Sequence, residues 1–183
     1  MRENRSNPSR DIKAASGHTM RKIGIALLVV WIGLASGSLV LLGDDADAML
    51  APLFTLRNLN DEEVSLESYR GSVVILDFWA TWCMPCTKIF PEIHALHELY
   101  ADRGVALLVI SFDKHAEDAR DYLIENELPT DNVLWGSLKE AHAVKDLFDV
   151  CGIVHTIVID REGYIRYSGH PTKLNAEAIE PWL

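Results

Sequence analysis

Two cysteines separated by two residues are the sequence feature with the clearest chemical meaning. Cys83 and Cys86 enclose Met84 and Pro85, directly after an apolar run and at the start of a predicted helix. The backbone N–H groups at a helix N-terminus are unpaired and carry partial positive charge, which stabilises a thiolate. We therefore expect an exposed Cys83 to attack a partner disulfide, and Cys86, one turn inward, to resolve the mixed disulfide.

The same pair could instead supply half of a zinc site or form a structural disulfide. A structural zinc ion takes four ligands, whereas the only further cysteine is Cys151 and no second Cys-x-x-Cys is present. These counts disfavour zinc at Cys83 and Cys86. Cys151 follows the pattern of a small buried hydrophobe, with a third redox thiol as the alternative.

Three histidines could act as metal ligands or could tune the reactivity of the cysteines. His94 and His97 are one helical turn apart, a spacing that metal sites use, but no nearby acid or cysteine completes a ligand set. We therefore expect solvated helix histidines and no bound metal. For His155 we expect a hydrogen-bonded structural role, and a metal-binding domain through Cys83, Cys86 and His155 is kept as an alternative function.

One acidic residue interrupts the apolar run before the cysteines. Asp77 lies six residues before Cys83 in the predicted strand 72–79. Burial would favour its neutral form and raise its pKa, so the carboxyl could accept the proton of Cys86 as that thiol attacks. A solvated acid at a strand edge is the alternative.

The elements that must position these residues alternate between strand and helix. Strands separated by helices predict right-handed βαβ crossovers and a central sheet with helices on both faces, the α/β class. The predicted strands are 53–56, 64–66, 72–79, 105–112, 153–160 and 164–168, and the predicted helices are 84–103, 116–127 and 138–148. The chain of 183 residues is long enough for one ordinary domain with its own core.

The N-terminal segment differs from the rest of the chain in charge. Residues 1–22 carry a net charge of +4, whereas the remaining residues carry −14 and have no basic stripe, which disfavours a nucleic-acid partner. Residues 23–43 are uncharged and, at about 1.5 Å per residue, long enough to cross a bilayer. The charge bias predicts a cytoplasmic tail, a single-pass anchor at 23–43, a linker at 44–50 and an extracytoplasmic domain at 51–183. A signal peptide cleaved near Ala48 is the alternative.

The residues around the cysteines resemble the thioredoxin superfamily, and within it the membrane-anchored TlpA/ResA-type thiol-disulfide oxidoreductases. The resemblance rests on FWATWCMPC after an apolar strand, on Pro91, and on a late Gly-hydrophobic-x-x-Thr-x-x-Ile-Asp-x-x-Gly segment. It implies a thioredoxin-like fold with a mixed sheet, an N-terminal β-hairpin and an insertion at 116–148. The implied site residues are the nucleophile Cys83, the resolving Cys86, the buried acid Asp77, the framing aromatics Trp79 and Trp82, and the helix-kinking Pro91.

The resemblance also implies a function. It suggests reduction of disulfides in exported proteins, apocytochrome c among them, with a membrane electron donor of the thioredoxin-reducing type and no cofactor beyond the Cys83–Cys86 disulfide. The direction of electron flow depends on a potential that Met84-Pro85 does not fix. A peroxiredoxin is disfavoured, because its Pro-x-x-x-Thr-x-x-Cys pattern is absent around Cys83.

The chain departs from the family at the loop expected to face the cysteines. Val154 stands where the family has a cis-proline, and a cis bond before valine costs about 2.5–4 kcal/mol. We therefore expect a trans Ile153–Val154 bond, a shifted loop and weakened docking that Val154→Pro would restore. A binding or chaperone module with weak turnover is the corresponding alternative. The predicted substrate-binding residues are Trp82, Met84, Pro85, Ile153 and Val154.

Overall fold

The computed structural model of the chain describes residues 48–183. In chain order its main elements are β1 (Thr55–Asn58), β2 (Glu63–Ser65), β3 (Val73–Trp79), α1 (Met84–Tyr100), β4 (Val105–Ser111), α2 (Ala116–Glu125), β5 (Val133–Trp135), α3 (Leu138–Leu147), β6 (His155–Ile159) and β7 (Ile165–Gly169). The strands form one sheet in the order β2-β1-β5-β4-β3-β6-β7. Strand β4 is parallel to β3 and β5, and the other neighbouring pairs are antiparallel. The predicted α/β class and mixed sheet are confirmed.

Strand β3 lies at the centre of the domain and leads directly to the cysteines. All of its residues are buried, which explains why VVILDFW shows no alternation of polar and apolar residues. It pairs along its length with β4 on one side and β6 on the other. The chain leaves β3 at Trp79 and enters α1 at Met84, so the cysteine motif stands at the carboxyl end of the central strand.

Strand β5 is the one main element that the sequence does not predict. It contains only three residues, too few for a periodic signal. Its register places Val133 opposite Val109 on β4, and Trp135 opposite Arg57 on β1. The predicted insertion therefore contributes a strand to the sheet, and that strand joins the N-terminal hairpin to the core.

The other predicted elements are confirmed with their ends shifted by three residues or fewer. The largest shift is in the first helix, where α1 ends at Tyr100 and a 3-10 turn follows. Gly104 closes that turn in the left-handed region, at φ 85°. Pro91 lies inside α1, which continues past it.

The first described residues attach to the turn between β6 and β7. Leu50 forms an antiparallel bridge with Tyr164, and the Ala51 N–H donates to the Gly163 carbonyl at 2.8 Å. Because β6 runs antiparallel to β3, this turn lies at the end of the sheet opposite the cysteines. The end of the predicted linker is thus bound to the domain.

The predicted tail and membrane span lie outside the described residues. Within residues 48–183, no helix combines the length and apolar character needed to cross a membrane.

Candidate functional site

Cys83 and Cys86 form a disulfide at the N-terminus of α1. Cys83 is the N-cap residue, and its sulfur accepts a hydrogen bond from the Cys86 N–H at 3.3 Å. Pro85 occupies the first turn, where its fixed φ and missing N–H suit a helix start. That turn contains no acidic residue. The positive end of α1 thus faces the Cys83 sulfur, the arrangement that favours a thiolate after reduction.

The two cysteines are nearly covered, while their neighbours are exposed. Cys83 exposes 6% of its surface and Cys86 4%, so the expected exposure of Cys83 is wrong for the disulfide form. The disulfide holds the Cys83 sulfur against the first helical turn and away from solvent. Trp82 and Met84 expose 66% and 67% and, with the exposed Pro85, form an apolar rim around the disulfide. A partner must contact this rim before it reaches the sulfur atoms.

Asp113 fixes the segment 80–83, here called the Thr81 turn. Its buried carboxylate accepts hydrogen bonds from the Thr81 N–H at 3.1 Å and from the Thr81 hydroxyl at 2.6 Å. It also accepts one from the Ser111 hydroxyl at 2.9 Å, and the Cys83 N–H donates to the Ala80 carbonyl at 3.1 Å. Sequence reasoning missed Asp113, although an acid two residues after a buried strand parallel to β3 was a usable signal. It positions the cysteine motif through Thr81.

Asp77 is buried in the middle of β3, between β4 and β6. The alternative of a solvated acid at a strand edge is therefore wrong. The Thr156 hydroxyl donates to its Oδ1 at 2.5 Å. Burial raises the pKa of Asp77 to about 7, and the Thr156 hydrogen bond opposes part of that rise. The carboxyl can therefore exchange a proton near neutral pH, as a proton acceptor for the dithiol must.

The segment 149–154, here called the Val154 loop, leads into β6. The Val154 N–H donates to the Phe78 carbonyl at 3.3 Å, and its φ is 68°. A β-branched residue rarely adopts this left-handed conformation. Proline has φ near −65° and no N–H, so Val154→Pro cannot keep this backbone, and the predicted gain in activity would require the loop to change conformation.

A cleft of about 470 Å³ separates the Thr81 turn from the Val154 loop. Thr81 and Trp82 line one side, and Cys151, Gly152 and Ile153 line the other. Cys151 is a free, exposed cysteine, which contradicts the expected buried hydrophobe. Of the predicted substrate-binding residues, Trp82 and Ile153 thus line one cleft. Its other lining residues are Phe112, Asp113, Lys114, Asp118, Leu138, His142 and Lys145.

The helix histidines are not solvated as expected. The side chains of His94 and His97 expose only 16% and 13%, because this face of α1 packs against the domain. Glu98, the next residue, brings its carboxylate to both imidazoles. The premise that no nearby acid completes a ligand set is therefore wrong.

The side chain of His155 contacts the neighbouring strand β7. Its Nε2 lies 2.8 Å from the Ser168 hydroxyl, which confirms the expected hydrogen bond. Burial, aided by His170, lowers the pKa of His155. In the described part of the chain, the groups able to converge on a metal do not include Cys83, Cys86 and His155.

Comparisons with known proteins agree with this geometry. Residues 48–168 match the AhpC/TSA family. The chain is 29% identical over 129 residues to the thioredoxin-like protein YneN of Bacillus subtilis, covering 69% of this chain and 74% of that protein. It is 24% identical over 135 residues to the thiol-disulfide oxidoreductase ResA of Bacillus thuringiensis, covering 73% and 74%.

The fold is also found in solved structures. The thioredoxin domain of a thiol-disulfide oxidoreductase from Bacteroides vulgatus superposes with a TM-score of 0.63 at 25% identity, covering 73% of this chain and 91% of that one. The thioredoxin-like fold predicted by the resemblance is thereby confirmed. With the disulfide at the N-terminus of α1, these matches establish that the chain belongs to the AhpC/TSA family, as a ResA/TlpA-type thiol-disulfide oxidoreductase of the thioredoxin superfamily.

Proposed function

We propose that this oxidoreductase reduces disulfides of exported proteins outside the cytoplasm, with Cys83 as the attacking residue. The observation that carries the proposal is the Cys83 sulfur at the N-terminus of α1, facing the Cys86 N–H and surrounded by an exposed apolar rim. This placement favours the thiolate chemically and directs a protein partner toward it.

The reaction consists of two exchanges at the same sulfur. The Cys83 thiolate attacks a target disulfide, forming a Cys83–target bond and releasing one target thiolate, which takes up a proton. Cys86 then gives its proton to the Asp77 carboxylate and attacks the Cys83 sulfur. This second step forms the Cys83–Cys86 disulfide and releases the other target thiolate. The target gains two electrons, which a membrane donor of the thioredoxin-reducing type must return to the dithiol.

Asp77 is suited to the proton step because its pKa of about 7 matches neutral conditions. A carboxyl of ordinary pKa would hold the proton too weakly. The Thr156 hydroxyl orients the carboxylate from the neighbouring strand. Asp77 thus has the protonation equilibrium that a base for Cys86 requires.

Protein substrates fit the surface around the disulfide better than small molecules do. Trp82, Met84 and Pro85 are exposed beside the disulfide, and Trp82 and Ile153 line the adjacent cleft. Exposed aromatic and methionine side chains commonly anchor protein interfaces. Apocytochrome c, whose haem-binding cysteines must be reduced from a disulfide before haem is attached, belongs to the proposed class of exported substrates.

The proposed location rests on charge and hydropathy before residue 48. A basic segment 1–22 precedes the uncharged segment 23–43, and the acidic domain follows, consistent with a single-pass anchor and a periplasmic domain. The intact mass of the protein from membranes tests this arrangement. A full-length mass is expected, whereas a mass beginning near Ala48 would show that the segment is a cleaved signal peptide.

The catalytic proposal is tested with the full chain in a protein-disulfide reduction assay driven by a chemical reductant. Cys83→Ser should abolish turnover, and Cys86→Ser should accumulate mixed disulfides with the target, visible on a non-reducing gel. Cys151→Ser is the matched control and should retain wild-type rates. Full activity of Cys83→Ser would overturn the assignment. Binding of unfolded targets without any turnover by the wild type would favour the binding or chaperone alternative.

A further inference from the structure

We propose that His94, His97 and Glu98 form a binding site for a divalent transition-metal cation on α1, separate from the dithiol. The three residues occupy positions i, i+3 and i+4, which bring their side chains to one face of the helix. One potential ligand atom from each side chain lies within 4.8 Å of the other two. Zinc is the probe used below to test the site.

The spacing of these atoms fits a cation better than direct hydrogen bonds. Glu98 Oε1 lies 3.8 Å from His94 Nε2 and 3.7 Å from His97 Nδ1. Both distances are too long for a hydrogen bond. Zinc–ligand bonds of about 2.0–2.1 Å place the ligands of a tetrahedral site about 3.4 Å apart. The two Glu98 contacts therefore need to shorten by only a few tenths of an ångström, and the two nitrogen atoms, which lie within 4.8 Å of each other, by at most about 1.4 Å.

The two nitrogen atoms of His97 have different environments. Nδ1 is buried and has no hydrogen-bond partner among the described residues. The imidazole also forms a hydrogen bond to the Val105 backbone, which must therefore use Nε2. Metal-binding histidines typically donate one ring N–H to a carbonyl or carboxylate and coordinate through the other nitrogen. His97 thus presents Nδ1, an unsatisfied buried acceptor, toward the carboxylate of Glu98.

The ligand set defines the class of cation. Imidazole nitrogens favour zinc, copper, nickel and iron over calcium and magnesium, and one carboxylate oxygen is compatible with each of them. Two histidines and one carboxylate leave a further coordination position for water. Glu98 exposes 63% of its side chain, so a cation can enter from solvent.

The site is distant from the redox centre. His94 lies eleven residues after Cys83, or about 16 Å along α1. A cation there touches neither sulfur. It would bridge two turns of the helix beside the start of β4, where His97 meets Val105.

The test measures zinc binding to the full chain in its disulfide form, in a Cys151→Ser background so that no free thiol competes. Competition against a chromophoric chelator at pH 7.5 should show zinc held at this site. His94→Asn and Glu98→Gln should each weaken that binding about tenfold or more, by loss of one ligand. Glu98→Gln changes an exposed side chain and should leave the fold intact. His115→Gln, an exposed histidine outside the cluster, is the matched control and should bind zinc as the parent does.

Long-range proton–nitrogen NMR of the histidine rings identifies the coordinating atoms. Zinc should shift Nδ1 of His97 and Nε2 of His94, and leave His115 unchanged. Wild-type affinity in either the His94 or the Glu98 variant would overturn the three-ligand site. So would a zinc-bound spectrum in which Nδ1 of His97 does not move, or the absence of zinc binding by the parent protein.

Discussion

The two segments that face each other across the cleft are held in different ways. The Thr81 turn is bonded through both the backbone and the side chain of Thr81 to one buried carboxylate, Asp113. The Val154 loop is held by single hydrogen bonds, such as that from the Lys145 ammonium to the Val150 carbonyl at 2.7 Å. It also contains two non-glycine residues at positive φ, Asp149 at 53° and Val154 at 68°.

This difference suggests separate roles for the two segments. The Thr81 turn positions the reacting cysteines, and the Val154 loop contributes to recognition of a partner. The turn that carries the cysteine motif has redundant bonds, so the position of the Cys83 sulfur is well determined. In the Val154 loop, each non-glycine residue in the left-handed region costs about 1–2 kcal/mol of stability. Such residues persist only where the surrounding structure fixes them, and they concentrate at functional sites. Substitutions in the turn and in the loop should therefore affect different properties of the protein.

The largest effect is expected at Asp77, on the strand that both segments border. Because its pKa is raised from 3.8 to about 7, the folded protein keeps a proton that the unfolded chain releases as pH rises through this range. Stability therefore falls over that window, and the penalty is complete above pH 7. Asp77→Asn should raise the free energy of unfolding by up to about 4 kcal/mol at pH 8, and by little below pH 4. It should also slow the resolving step of Cys86.

Urea unfolding at pH 4, 6 and 8 measures this difference, with the exposed Asp131→Asn as a control that should show none. A gain in stability that does not depend on pH would contradict the raised pKa. Unchanged release of the target from the mixed disulfide at pH 6 to 8 would remove Asp77 from the mechanism.

The next effect is expected at the Thr81 turn. Asp113→Ala leaves the Thr81 N–H, the Thr81 hydroxyl and the Ser111 hydroxyl without their acceptor. The free energy of unfolding should fall by about 3 kcal/mol, and the rate of disulfide exchange should fall with it. The exposed Glu117→Ala, outside the cleft, is the control. Wild-type exchange by a folded Asp113→Ala protein would show that the turn does not position the cysteines.

A smaller loss is expected at the Val154 loop. Val154→Pro cannot keep φ at 68° or the hydrogen bond to Phe78, and should cost about 2 kcal/mol of stability. Val154→Gly, which adopts positive φ freely, should change stability by less than about 1 kcal/mol. Thermal unfolding compares the two variants. Equal stability of the proline variant and the wild type would mean that the loop is not held in this conformation.

The smallest effect is expected at the apolar rim. Trp82→Ala should lower the rate constant for protein-disulfide reduction about fivefold, equivalent to about 1 kcal/mol of lost contact. The loss should be smaller for a small aromatic disulfide, which does not span the rim. Leu99→Ala removes an equally exposed side chain near the other end of α1 and serves as the control. Equal losses with both substrates would place the role of Trp82 in the chemistry rather than in docking.

The parts of the site that could be predicted depend on local sequence. The spacing of Cys83 and Cys86 after an apolar strand locates the disulfide and the start of α1 without tertiary information. The burial of Asp77 follows from its place in VVILDFW, since a central strand has no solvent face. Each of these features depends on residues that are close together in the sequence.

The parts that could not be predicted depend on contacts between distant segments. The partnership of Asp113 with Thr81 requires the carboxyl ends of β3 and β4 to meet, and the positive φ of Val154 occurs together with a hydrogen bond to the distant Phe78. The burial of His94 and His97 depends on what packs against α1, which their spacing alone does not reveal.

The attachment of Leu50 and Ala51 to the turn between β6 and β7 fixes the end of the domain at which the preceding chain joins it. That turn and the cysteines lie at opposite ends of the sheet, separated by the seven residues of β3, or roughly 20 Å. The end of the domain that receives the chain from the preceding residues is therefore not the end that exchanges electrons, so a partner can contact the disulfide without contacting that junction.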